Sequence, residues 1–162
     1  MGGGALGCPV VYMRYYIFAL LFIATDQLSK FLVRTYLHVG QSVSVLGDFF
    51  RLTHIQNRGA AFSMLSGQRL FLILVPTVVV IAALVVLSRM KHAHWSLYAA
   101  WTLILAGGVG NLIDRILFGQ VTDMLDFSIF PPVFNLADIG VTVGCALFVI
   151  YILLGDRLKR HD

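Results

Sequence analysis

Gly107–Gly140 reads GGVGNLIDRILFGQVTDMLDFSIFPPVFNLADIG and sets four aspartates, Asp114, Asp123, Asp126 and Asp138, between two long apolar runs. The chain of 162 residues has eight acidic side chains, all aspartate, so half of its carboxylates fall in this one segment. A carboxylate at a bilayer boundary costs free energy unless it is paired, hydrated or protonated. Two carboxylates close enough to share a proton form the acid/base pair of an aspartic hydrolase. The segment therefore separates two membrane spans and is the place to look for chemistry.

Working outward, 59% of the residues are hydrophobic and 12% charged, with a mean hydropathy of +0.86. Soluble domains carry about 25% charged residues, so composition points to a membrane protein. Spans need about 20 apolar residues. Leu70–Ser88, Trp95–Ile113 and Ile139–Gly155 meet that demand without a charge. Tyr15–Leu37 begins as YYIFALLFIAT and then admits Asp26, Gln27, Lys30 and Arg34, which places its polar end at the interface or inside the bundle. The expected fold is membrane all-α: four transmembrane helices with a small β-rich extracytoplasmic cap between helices 1 and 2. The spans run about 15–37, 70–88, 95–113 and 139–155, and the outer loop about 38–69. In that loop Val43 and Val45, then Phe50, Leu52 and His54, alternate with polar residues, which reads as strand, followed by a short helical turn. Pro131-Pro132 forbids a continuous helix through the acidic segment. No internal repeat, low-complexity stretch or separate soluble domain is visible, so 13–162 reads as one integral-membrane domain.

The net charge is +4 and the isoelectric point about 9.3. The basic residues are scattered rather than striped, which favours anionic lipid headgroups over nucleic acid as the partner. Orientation by charge counting is a draw. Arg14, Arg89, Lys91, Arg157, Lys159 and Arg160 fall on one side, and Lys30, Arg34, Arg51, Arg58, Arg69 and Arg115 on the other. Only the short Arg89–His94 loop and the basic tail favour cytoplasmic termini. Cys8 and Cys145 make no disulfide framework. Residues 1–12, MGGGALGCPVVY, read as a leader to a more natural start at Met13 and are expected to be disordered or non-native. The first span, lacking a small-residue cleavage site, is expected to be an anchor.

Each motif has a plain structural reading beside a functional one. Asp26 and Lys30, four apart, suit an intrahelical ion pair and also a site beside a substrate. Asn57-Arg58-Gly59-Ala60-Ala61-Phe62 is ordinary turn chemistry, or an amide that holds a peptide carbonyl with a glycine allowing close approach. Gly107, Gly108 and Gly110 on the third span, and Gly140 and Gly144 on the fourth, favour close helix packing. Asn111 and Asp114-Arg115 need partners, and Asp114–Arg115 reads as a structural salt bridge, with Arg115 neutralising neighbouring acids. Asp123 and Asp138 are the sharp candidates, with Asn135 on the Asp138 face. Helix capping accounts for Asp138 but poorly for Asp123. Asp126, one turn beyond Asp123, is a rival. The five histidines form no metal-ligand set, no nucleophile pattern is present, and the absence of glutamate excludes His-Glu-x-x-His. No metal and no cofactor is expected.

These motifs together resemble the lipoprotein signal peptidase family, the bacterial type II signal peptidases. The resemblance runs from Met13 onward. It rests on Asp26-Gln27-x-x-Lys30, Asn57-x-Gly59-Ala60-Ala61-Phe62, Gly110-Asn111-x-x-Asp114-Arg115, Val121-x-Asp123 and Phe134-Asn135-x-Ala137-Asp138. It implies an inner-membrane aspartic endopeptidase with cytoplasmic termini and a site near the outer leaflet. Asp123 and Asp138 would be the catalytic dyad. Asn57, Gly59, Gly107 or Gly108, Asn111, Arg115 and Asn135 would line or support it, Asp114 would be structural, and Asp26 and Lys30 would lie close to the substrate groove. The implied substrate is a prolipoprotein cut on the N-terminal side of a cysteine already bearing diacylglycerol, and a monomer is expected. The rival classes are a proton- or ion-coupled carrier, which would need acids near the midplane and a repeat, and a structural membrane adaptor, in which Asp123 and Asp138 would be dispensable.

Overall fold

The structure is a computed structural model and describes residues 9–59, 68–91 and 93–158. The expected leader up to residue 8, the helical turn after the outer strands, Ala60, Ala61 and Phe62 lie outside the described residues. The element order is α1 (Pro9–Tyr36), β1 (Ser42–Leu46), β2 (Phe50–Asn57), α2 (Arg69–Arg89), α3 (Trp95–Phe118), β3 (Val121–Phe127), β4 (Phe130–Phe134) and α4 (Leu136–Leu158). Among the described residues, four helices are long and apolar enough to cross a membrane. Their outward faces expose large aliphatic and aromatic side chains such as Leu20, Leu74, Ile81 and Leu153. A bilayer, not water, is the solvent that covers such faces at no cost.

The strands include the expected cap between α1 and α2 and extend it. They form one antiparallel sheet in the order β1-β2-β3-β4, so half of it comes from the acidic segment between α3 and α4 rather than from the loop between α1 and α2. Pro131 and Pro132 lie in β4, an edge strand, where a missing N–H is tolerated. Phe127 stacks on Phe50 at 4.6 Å and on Phe134 at 5.8 Å, which ties β2, β3 and β4 together. Asp123 and Asp126 are therefore strand residues, not successive turns of a helix. Sequence reading missed this because VTDMLDF alternates imperfectly and follows directly on an apolar helix.

α3 is the central helix and packs against α1, α2 and α4. It runs five residues beyond the expected Ile113, to Phe118, and so carries Asp114 and Arg115 as well as Asn111. It stops at Gly119, whose φ of 72° supplies the left-handed cap, with its N–H bonded to the Arg115 carbonyl. α4 starts three residues before the expected Ile139.

Where α3 meets α4, small residues allow backbone contact. A Cβ on Gly107 would collide with the Ala137 carbonyl and approach Val141, and one on Gly144 would lie 2.7 Å from the Ala100 carbonyl. Gly107→Ala is expected to lower unfolding stability by about 1–3 kcal/mol through this overpacking. Thermal unfolding of the detergent-solubilised protein measures it, and an unchanged midpoint would remove the close-packing role.

Candidate active site

The sheet and the ends of α1, α3 and α4 bring the predicted residues to one end of the bundle. Asn135 and Asp138 form a reciprocal cap at the start of α4. Asn135 Oδ1 accepts from the Asp138 N–H at 3.0 Å, and Asp138 Oδ2 accepts from the Asn135 N–H at 3.3 Å. The capping reading of Asp138 thus holds, but it uses only one carboxylate oxygen. Asp138 Oδ1 accepts instead from Asn111 Nδ2 of α3 at 2.7 Å.

Asp123 is buried on β3. Both of its oxygens take amide N–H groups, Oδ1 from Asn135 at 2.6 Å and Oδ2 from Asn57 at 3.0 Å. Asn135 therefore touches both carboxyl groups. Burial pushes the Asp123 carboxyl up from the ordinary 3.8 to about 6; the two amides oppose that shift, and the neighbouring Asp138 adds to it.

Both carboxyls line a cavity of about 650 Å³. Its polar wall also includes Asn57, Asn111 and Arg115, and the rest is largely apolar, from Val75, Pro76 and Val79 on α2 to Phe130 and Phe134 on β4. The α2 and β4 contributions were not read from the sequence. Pro76, interrupting an otherwise unbroken apolar helix, was the available signal. Asp126 does not line the cavity and accepts from Thr53 Oγ1 at 2.7 Å, which separates it from Asp123 and Asp138.

The remaining candidates divide between lining and support. Gly108 lines the cavity, while Gly107 packs against α4. Gly59 works through its backbone, its N–H reaching Asn57 Oδ1 at 2.9 Å and its carbonyl accepting from Arg115 Nη2 at 3.3 Å. The expected Asp114–Arg115 salt bridge is not formed. Asp114 turns to Lys30 and Arg34, each at 3.5 Å, and accepts from the Thr122 N–H at 3.0 Å, anchoring the start of β3. Adjacent residues on a helix diverge by about 100°, so side chains at 114 and 115 cannot share a face.

Asp26 and Lys30 form the expected intrahelical pair at 2.9 Å, with both side chains fully buried. Asp26 Oδ1 also accepts from the Ala137 N–H at 2.9 Å and caps α4 from another helix. Lys30 Nζ donates to Asn111 Oδ1 at 2.9 Å. Gly110 leaves room for this arrangement, since a Cβ there would lie 2.6 Å from Asp26 Oδ2. Among the described residues no cluster of three or more His, Cys or Asp side chains is placed to hold a metal ion.

Comparison with known proteins gives one consistent result. Residues 18–154 match the family model described as signal peptidase (SPase) II. The lipoprotein signal peptidase of Halothermothrix orenii is 46% identical over 143 residues, 88% of this chain and 97% of the relative. That of Brevibacillus brevis is 38% identical over 149 residues, 91% of this chain and 100% of the relative. A solved bacterial membrane enzyme superposes with a TM-score of 0.82 at 33% identity, covering 89% of each chain. A second gives 0.79 at 32% identity, covering 86% of this chain and 92% of the other. With four helices able to span a membrane among its described residues and this match along nearly its whole length, the chain belongs to the signal peptidase II family of membrane peptidases.

Proposed function

We propose that the chain is an aspartic endopeptidase that removes signal peptides from diacylglyceryl-modified prolipoproteins, with Asp123 and Asp138 as its dyad. The observation that carries this reading is the pair of carboxyls lining one largely apolar cavity and bridged by Asn135. One carboxylate takes a proton from a water as its oxygen bonds to the scissile carbonyl carbon. The protonated partner donates to the carbonyl oxygen, giving a neutral tetrahedral intermediate. Collapse breaks the C–N bond as one hydroxyl of the intermediate returns its proton to the second carboxylate, and the proton held by the first carboxyl passes to the leaving amine. That amine is the α-amino group of the lipidated cysteine. Asp123, whose carboxyl titrates near 6, is poised to share the single proton that such a pair requires.

The substrate suits the site physically. Acyl chains remain in the bilayer beside the helices, and the apolar wall from α2 and α4 accepts an extended signal peptide end. Asn57, Asn111 and Asn135 orient the carboxyls, and Arg115 steadies the mouth through Gly59. Asp114, Asp26 and Lys30 support the site from behind. The sheet and dyad lie at the end of the bundle opposite the Arg89–Lys91 loop and Arg14. Cytoplasmic placement of those basic groups puts the active site near the outer leaflet and both termini inside. On this reading Lys30, Arg34 and Arg115, which tied the charge count, are engaged in the site rather than acting as topology signals. Residues 13–162 form one peptidase domain, and the working unit is a monomer in contact with membrane lipid.

Asp123→Asn and Asp138→Asn are each expected to lower cleavage of a diacylglyceryl-modified prolipoprotein by at least about 10³-fold, with insertion intact. Asp126→Asn should keep substantial activity. A gel-shift assay in detergent reads all three, and near-normal cleavage by either dyad variant would overturn the assignment. Chelators should leave the rate unchanged, whereas inhibition reversed by zinc would point to a metalloprotease.

Stability carries an independent signature. Folding raises the Asp123 carboxyl from 3.8 to about 6, so the folded state holds its proton more tightly. The stability Asp123 contributes is therefore full below about pH 4 and declines as pH rises through about 6. Relative to Asp123→Asn, the wild-type unfolding midpoint should fall between about pH 4 and about pH 7. A constant difference would mean that Asp123 is not shifted by folding.

A further inference from the structure

The carboxamides around the dyad share a feature that the dyad chemistry does not by itself require. An asparagine amide is nearly symmetric in shape, and its two ends differ only in donating or accepting. Each of the three amides here has its oxygen engaged by a donor that cannot accept. Asn57 Oδ1 takes the Gly59 N–H at 2.9 Å, Asn135 Oδ1 takes the Asp138 N–H at 3.0 Å, and Asn111 Oδ1 takes Lys30 Nζ at 2.9 Å. In consequence all three present their NH₂ groups to Asp123 or Asp138. Two of the locks are backbone N–H groups, fixed by the fold. The third is a side chain brought from a different helix.

That side chain is an ammonium with no exposed surface, a costly choice in a membrane protein. Charge compensation alone does not require its bond to Asn111. Lys30 and Arg34 are matched by Asp26 and Asp114, with contacts of 2.9 to 3.5 Å. Asn111 is neutral and adds nothing to that balance. What the contact changes is Asn111 itself. A hydroxyl or water in the same place could donate or accept and would let the amide turn over, whereas an ammonium only donates.

We propose that Lys30 is a positioning residue for the dyad: by donating to Asn111 Oδ1 it holds the carboxamide with its N–H toward Asp138 Oδ1. Lys30 makes no hydrogen bond to either carboxyl: its contact with Asp138 runs through Asn111, while its charge acts on both carboxyls through space. The inference rests on the dyad reading given above. Among the described residues, the charged groups facing Asp138 are Lys30 from α1, Arg115 from α3 and Asp123 from β3, and α2 contributes only apolar side chains to that cavity.

The test is a kinetic double-mutant cycle with Lys30→Met, Asn111→Ala and the double variant, using a diacylglyceryl-modified prolipoprotein and only protein that stays monodisperse in detergent. Lys30→Met is expected to lower kcat by about 10- to 100-fold, the effect of losing one hydrogen bond to a charged group, with KM within about twofold. The double variant should lie within about twofold of Asn111→Ala alone, the small remainder being the through-space loss of the Lys30 charge. Asn111→Asp, which keeps an acceptor for Lys30 but loses the N–H toward Asp138, should fold and lose as much activity as Asn111→Ala. Losses that multiply in the double variant, or a folded Lys30→Met with kcat near wild type, would overturn the proposal. If Lys30→Met does not fold, Lys30→Met combined with Asp26→Asn restores the charge balance and takes its place in the cycle. Failure of both to fold would show the lysine to be structural and also overturn the proposal. Asp138→Asn, measured alongside, keeps the two readings apart. Activity in that variant removes the dyad, whereas additivity between Lys30 and Asn111 removes only the lock.

Discussion

The buried ammonium of Lys30 is the point on which the candidate site depends. Desolvating a lysine costs several kcal/mol unless its donors are satisfied, and this one is satisfied only when α1 and α3 meet. Asp26 comes from its own helix, and Asn111 and Asp114 come from α3. Asp26 in turn caps α4 at Ala137, and Asp114 captures the Thr122 N–H that starts β3. α1, α3, α4 and β3 are thereby held in one register. The same polar cluster that answers for the lysine sets the positions from which Asp123 and Asp138 line the cavity.

Around that cluster the demands of the bilayer and of the site meet without conflict. Lipid faces are apolar, and the polar groups are gathered inward or to one end, where their hydrogen bonds are made among themselves. Glycine does the geometric work on α3. Gly107 lets the α4 backbone approach, and Gly110 leaves room for the Asp26 carboxylate. Larger residues there would separate α3 from α4 and draw Asn111 away from Asp138. The cavity wall follows the same economy, with a few polar groups around the carboxyls and a largely apolar remainder.

A shared logic joins the capping and catalytic readings of the acidic segment. The reciprocal cap of Asn135 and Asp138 begins α4, yet the same two residues supply a carboxyl and a bridging amide to the site. Helix initiation and site construction are one event here, because the unpaired N–H groups of a helix start are good partners for carboxyl and carboxamide oxygens.

Sequence alone determined the membrane class and the four apolar runs, and it named the residues of the candidate site. Span length, hydropathy and the scarcity of carboxylates are local quantities, and the five motif blocks are legible as written. Tertiary structure decided what depends on register between distant segments. VTDMLDF pairs with β2 and not with a helix turn, because an edge-to-edge ladder with Phe50–Asn57 is available only after the bundle forms. That pairing separated Asp126 from Asp123, a choice the one-dimensional spacing left open. Asp114 chose Lys30 and Arg34 over its neighbour Arg115, because a helix turns adjacent side chains to different faces. The apolar wall supplied by Val75, Pro76 and Val79 could be read only from the fold, since an apolar side chain facing lipid and one facing a cavity are the same letter in the sequence.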